Sequence, residues 1–254
     1  MRGGVRGLAS TLAIGLLIGA VAGCGGSDPQ QLRVSAAASL RSAFGNYAAA
    51  AFPDGQIQQS FAGSDQLAAQ IEQGARPDVY ASANTQHPDE LYEKGLLDKP
   101  VVFARNRLVL AVPADSDIRS LEDVARPGVS VVIGDPNVPI GSYTREVLGR
   151  LPKSESSGIL DNVRSQEPDV TSIIGKLTQG AADAGFVYIT DVRAAGGAVR
   201  AIQLPDSLQP EVAYGIGVLK DAPNPELARR FVQGVEPGGS GVRYLHQAGF
   251  LPPG

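Results

Sequence analysis

The chain has no tryptophan, one cysteine and two histidines in 254 residues. A single cysteine, Cys24, excludes an internal disulfide. Without Trp, and with seven Phe and seven Tyr, there is little flat aromatic surface on which to stack a saccharide or a nucleobase. His87 stands beside Pro88 and His246 near the C-terminus, neither in a stretch that reads as a site. No His/Cys/Asp cluster has metal-ligand spacing. A Gly-x-Ser-x-Gly elbow is missing, as is a Gly-x-x-x-x-Gly-Lys phosphate loop. These gaps weigh against a secreted serine hydrolase, the rival reading from the enzyme class. Basic runs are missing too, and 26 Asp+Glu outnumber 22 Lys+Arg for a formal charge of −4, which argues against nucleic acid. Beyond the N-terminal region no stretch is long and apolar enough to span a bilayer, and no internal repeat appears.

What is present starts at the N-terminus. Arg2 and Arg6 precede an apolar run over residues 8–22, the layout of a secretory signal. The run is shorter than the roughly 20 residues of a membrane span. It closes on small residues before Cys24, which resembles the lipobox of bacterial lipoproteins. An ordinary cleavable signal with an incidental cysteine is the alternative; the sole cysteine standing where a lipid would be attached favours the lipobox. The expectation is a signal peptide over residues 1–23, lipidation at Cys24 and a Gly/Ser/Asp/Pro tether over residues 24–31. The protein then works outside the cytoplasmic membrane, anchored to it by N-terminal lipid. Losing two arginines takes Lys+Arg from 22 to 20 and the formal charge from −4 to −6. An anion bound by so acidic a chain must be held by local dipoles rather than by a global field.

The remainder repeats one device. Leu32, Val34 and Ala36 alternate as a strand does, and Leu40, Phe44, Tyr47, Ala48 and Ala51 then fall at helical spacing. Between them lies Ala36-Ala37-Ala38-Ser39, small residues ending in a favoured helix cap. A strand running into a helix start presents free N–H groups and the positive end of a dipole, a seat for an anion. Ser39 taken alone reads better as a simple cap, and it is the recurrence of the device that shifts the balance. The device recurs at Phe61-Ala62-Gly63-Ser64, at Val138-Pro139-Ile140-Gly141 after a strand over residues 129–133, and at Glu167-Pro168-Asp169-Val170. Pro139 sets Ile140 near the first turn of its helix. Strands are expected at residues 56–61, 78–81, 184–188, 200–204 and 212–218, the third of these ending in Tyr188, with closing helices near 225–235 and 240–247. Alternating strands and helices imply mainly parallel sheets covered on both faces.

These stretches, with Pro77-Asp78-Val79-Tyr80-Ala81-Ser82-Ala83, Gly134-Asp135-Pro136, Gly185-Phe186-Val187-Tyr188 and Ala248-Gly249-Phe250, run in order over nearly all the chain beyond the tether. Together they resemble the molybdate-binding proteins of ATP-binding-cassette importers, a family of periplasmic-type (type II) binding proteins. The resemblance implies an α/β fold of two lobes, each a mostly parallel sheet flanked by helices, joined by a two-strand hinge. Lobe I is expected over residues 32–104 plus 214–254, and lobe II over 105–213.

It also implies oxyanion contacts from Ser39 and Ser64 in one lobe, and from the N–H groups near Ile140 and Val170 and the Tyr188 hydroxyl in the other. The ligand is molybdate or tungstate, with no side chain ligating the metal itself and no further cofactor; another tetrahedral oxyanion such as sulfate is the alternative. The partner is a membrane permease, the chain itself a monomer and not an enzyme. Two positions depart from the family pattern. Ile140 replaces a small residue, which implies a narrower pocket floor, and Asp65 follows Ser64 and is expected to face solvent.

Overall fold

The computed structural model describes Gly3 and residues 31–52 and 55–254. Cys24 and the signal region lie outside the described residues. The chain opens with β1 (Leu32–Ala37), a 3-10 turn (Ala38–Leu40) and α1 (Arg41–Ala51). Then come β2 (Ile57–Ala62), α2 (Ser64–Glu72), β3 (Val79–Ser82), α3 (Gln86–Glu93) and β4 (Val101–Asn106). After Arg107 follow β5 (Leu108–Pro113), α4 (Leu121–Val124), β6 (Val131–Gly134), α5 (Pro139–Arg150) and α6 (Lys153–Asp161). β7 (Val163–Glu167), α7 (Val170–Thr178), β8 (Ala184–Tyr188), α8 (Ile189–Ala194) and β9 (Val199–Gln203) complete the middle. β10 (Val212–Val218), α9 (Pro225–Val235) and α10 (Val242–Ala248) close it.

Local sequence explains the layering. All of β5 but its final proline is buried, and the strand is apolar throughout, as a central strand covered on both faces must be. β2 and β7 alternate half-buried with exposed residues and form edges. On α9 the buried positions Ala228, Phe231, Val232 and Val235 make one stripe, with Arg229 and Arg230 off it. Asp78 is fully buried because its carboxylate accepts the N–H groups of Arg33 (2.7 Å) and Asn224, tying the first strand to the C-terminal part. Among the described residues no helix is long and apolar enough to cross a membrane.

Two five-stranded sheets result, in the orders β2-β1-β3-β10-β4 and β7-β6-β8-β5-β9. Each has four strands pointing one way and a single reversed strand, β10 in the first and β5 in the second. Both are the strands on which the chain enters a sheet from the other. The parallel strands of both sheets turn their C-terminal ends to a common cleft, so a strand arriving there must run away from it. Mostly parallel is therefore right, with one reversal per sheet that the repeated strand–helix pattern did not show. The sequence reading also passes over α4, α6 and β7. α6 reads Lys-Ser-Glu-Ser-Ser-Gly-Ile-Leu-Asp, with Ile159 its one buried residue, too thin a stripe to register as periodicity.

Candidate functional site

Ser39, Ser64, Ile140, Val170 and Tyr188 line one small cavity, with about 20 Å³ open to the centre of a water-sized sphere. Ala37, Ala38, Ala62, Gly63, Ala83, Val138, Pro139 and Asp169 complete its wall. The topology makes this convergence. β1 and β2 are parallel neighbours in register through Ala37 and Ala62, so the turns carrying Ser39 and Ser64 lie side by side. Across the cleft β6 and β7 end together at Gly134 and Glu167, and β8, bonded to β6, ends at Tyr188. The site sits outside strand C-termini, where open α/β sheets place ligands.

The serines act differently from simple caps. Ser39 lies inside the 3-10 turn, the residue preceding α1 is Leu40, and neither start has a side-chain cap. Its hydroxyl is committed to Tyr214 Oη instead, at 2.9 Å. Ser64 is the first residue of α2, with Gly63 before it. Ser64 Oγ accepts the Ala83 N–H at 3.1 Å, and Tyr80 Oη donates to the Ser64 carbonyl at 2.7 Å. Because Ala83 N–H can only donate, that contact leaves the Ser64 proton available to the cavity. Ile140 is the second residue of α5 behind Pro139, and Val170 the first of α7, so their N–H groups belong to the set a helix cannot satisfy internally.

Tyr188 is 1% exposed, and among the described residues its Oη has no hydrogen-bond partner. Burial, with Tyr214, Tyr143 and Asp191 adding, pushes its pKa well above the ordinary phenol value. It stays a neutral donor. No Lys or Arg lines the cavity. Asp169 does, but its Oδ1 is occupied by the Ser172 N–H (2.8 Å) and Oγ (3.0 Å) in capping α7.

One of the two family departures takes a different form from the expectation. Asp65 does not simply face solvent: it is half-buried, with Oδ1 enclosed and unpartnered, and sits in the first turn of α2 where the helix dipole favours a carboxylate. The Ile140 side chain reaches over Gly134, where an added Cβ would stand 2.7 Å from Ile140 Cγ2. The Gly141 backbone nitrogen would be nearer still, at 2.6 Å, so Gly134 is required by the approach of α5 itself. Gly141 is forced for a related reason, since a Cβ there would overlap the Asp135 carbonyl.

Sequence reading missed Tyr214, Asn106 and the Ala83 N–H as parts of the site's surroundings. Only Ala83 carried a signal, as the end of the Pro77–Ala83 stretch. A cavity walled by hydroxyl and amide donors without cations suits a small, fully ionised oxyanion rich in acceptors.

Residues 32–251 match the model of a family described as bacterial extracellular solute-binding protein. A molybdate-binding protein, ModA, of Mycobacterium tuberculosis is 37% identical over 97% of this chain and 98% of its own length. A putative ABC transporter substrate-binding lipoprotein of Bacillus subtilis, YvgL, is 28% identical over 84% of the chain and 86% of its own length. The periplasmic molybdate-binding protein of Azotobacter vinelandii superposes with a TM-score of 0.78 at 21% identity, covering 88% of this chain and 100% of that one, and so shares the fold. These relatives are solute-binding proteins, not enzymes. The chain belongs to the bacterial extracellular solute-binding protein family.

Proposed function

We propose that this chain captures molybdate, and tungstate comparably, outside the cytoplasmic membrane for an ATP-binding-cassette importer. The observation that carries the reading is the cation-free cavity, where Ser39 and Ser64 from one sheet meet Ile140, Val170 and Tyr188 from the other. The oxyanion receives the two serine hydroxyls, the Tyr188 hydroxyl and the N–H groups of Ile140 and Val170. Kinship with a molybdate-binding relative supports the choice of anion.

The lobes follow the two sheets, lobe I over residues 32–104 plus 214–254 and lobe II over 105–213, except that β4 carries lobe I on to Asn106 and β10 brings it back from Val212. They close on the ligand about the two crossings, Arg107 and the segment between β9 and β10. The closed form of a monomer is what the permease engages. Cys24 carries the lipid anchor, a reading supported by the lipoprotein named among the relatives. Cys24→Ser is expected to release the protein from membranes or leave it unprocessed, as fractionation and N-terminal sequencing would show.

Titration calorimetry with a panel of oxyanions tests the binding. Donors fixed on two lobes set a radius. The smaller sulfate leaves some of them unpaired, at about 1–3 kcal/mol each. Two such losses amount to a factor of about 30 or more. Hydrogen phosphate brings an O–H where the five contacting groups supply donors. Molybdate and tungstate should bind tightly, sulfate and phosphate poorly, and Ser64→Ala should weaken molybdate by about 10- to 100-fold. Sulfate within threefold of molybdate would overturn the size argument.

A further inference from the structure

Tyr214 does not line the cavity and hydrogen-bonds to the site through Ser39, yet its surroundings fix what Ser39 can do. It lies on β10 where the ladder with β4 slips between Tyr214 and Gly215, the kind of irregularity that re-aims a side chain. Its ring is fully buried between Tyr188 (centroids 5.9 Å apart) and Phe250 (5.2 Å). Behind it stands Asn106, at the end of β4 where the chain leaves the first sheet, and 5% exposed.

The direction of the hydrogen bonds follows from counting protons. Asn106 Oδ1 accepts the Arg107 N–H at 2.9 Å, which sets the amide's orientation. Its Nδ2 then faces Thr190 Oγ1 at 2.9 Å and Tyr214 Oη at 3.3 Å. An amide nitrogen donates and does not accept, so Tyr214 Oη is an acceptor toward Asn106. The one Tyr214 proton needs a partner, because Tyr214 is fully buried and an unpaired buried donor is costly. Ser39 Oγ, at 2.9 Å, is that partner. Burial pushes the Tyr214 pKa well above the ordinary phenol value, so the proton stays in place.

Building on the oxyanion reading, we propose that Asn106 and Tyr214 are positioning residues that keep Ser39 a donor toward the bound anion. Protons run from Asn106 Nδ2 to Tyr214 Oη, from Tyr214 to Ser39 Oγ, and from Ser39 into the cavity. Ser64 reaches the same state through the Ala83 N–H. Both serines thus accept from a protein donor and keep their proton for the cavity, which disfavours an anion still carrying its own O–H. Selectivity against protonated oxyanions is therefore set partly at the crossing between sheets, outside the cavity wall.

The test is a double-mutant cycle read by calorimetry with molybdate and with phosphate at pH 7. Tyr214→Phe keeps the ring packing and should weaken molybdate by about 3- to 15-fold. It should also narrow the ratio of molybdate to phosphate affinity, because Ser39 Oγ becomes free to accept. In a Ser39→Ala background the same change should cost nothing further. Asn106→Asp puts an acceptor where a donor stood and should show the same dependence on Ser39; it serves if Tyr214→Phe lowers the melting temperature below that of the assay. Equal losses with and without the Ser39 hydroxyl, or an unchanged anion ratio in Tyr214→Phe, would overturn the inference while wild-type molybdate binding stands. Failure of the wild type to bind molybdate would overturn the oxyanion reading itself, and this inference with it.

Discussion

Gly63→Ala is expected to weaken oxyanion binding by about a hundredfold or more while leaving the unliganded protein's melting temperature nearly unchanged. Gly63 precedes α2 with φ −59° and ψ 138°, a conformation open to any L-residue. The glycine is therefore not there for backbone freedom. It is there because a Cβ would overlap the carbonyl oxygen of Pro168, which follows β7 in the other sheet, and would stand 3.5 Å from Val138 Cγ1. It would also lie 2.7 Å from Asp65 Oδ1, a side-chain end free to swing aside. Only the contact across the cleft is backbone and cannot yield. A methyl group at this point wedges the lobes apart, and donors on opposite lobes no longer reach one ion together. Calorimetry with molybdate and a thermal melt of the free protein separate the two effects. Affinity within threefold of wild type would show that the lobes need not meet at Gly63.

Asp191→Asn is expected to stabilise the protein at pH 8 by about 4 kcal/mol at most, and hardly at all near pH 4. Asp191 lies in the first turn of α8, 9% exposed, with Oδ2 accepting the Tyr188 N–H at 3.1 Å. Burial first, and the Asp169 carboxylate after it, push its pKa up to about 7, against the pull of the Tyr188 N–H. In the unfolded chain an aspartate titrates near pH 3.9. Between about pH 4 and pH 7 the folded state thus holds a proton that the unfolded state has released. Stability then falls as pH rises through that window, and the full cost is present above the folded pKa. Asparagine keeps an acceptor for Tyr188 and cannot ionise. Urea denaturation at pH 4.5, 6 and 8 should show the variant drawing ahead of wild type as pH rises. A difference independent of pH would mean that the carboxyl does not titrate in this range.

Much of the architecture is legible along the chain because its signals are local. β8, β10 and α9 fall where their buried patterns put them, at Ala184–Tyr188, Val212–Val218 and Pro225–Val235. The helix starts at Ile140 and Val170 are written in Pro139 and Asp169, a fixed φ in one case and a capping carboxylate in the other. Ser39 is the instructive exception. Its residue type and place suggested a cap, but the chain makes a 3-10 turn there and Tyr214, 175 residues away, takes the hydroxyl. Asn106 and Tyr214 are 108 residues apart and meet only because β4 and β10 are paired. Nothing in either neighbourhood could announce that contact. The reversal of β5 and β10 is hidden in the same way, since strand direction depends on which sheet the chain is entering.

The want of lysine and arginine in the cavity wall has an electrical consequence. Most anion sites hide their cargo's charge by setting a cation against it. Here hydrogen-bond dipoles alone solvate the ion, and with no cationic side chain in the wall to gain a proton on binding, a captured dianion changes the particle's net charge by its full two units. A processed chain of formal charge −6 becomes one of −8. Loaded and empty molecules, nearly identical in mass, should then migrate as separate bands on a native gel and elute apart from an anion exchanger. Occupancy becomes countable from mobility alone.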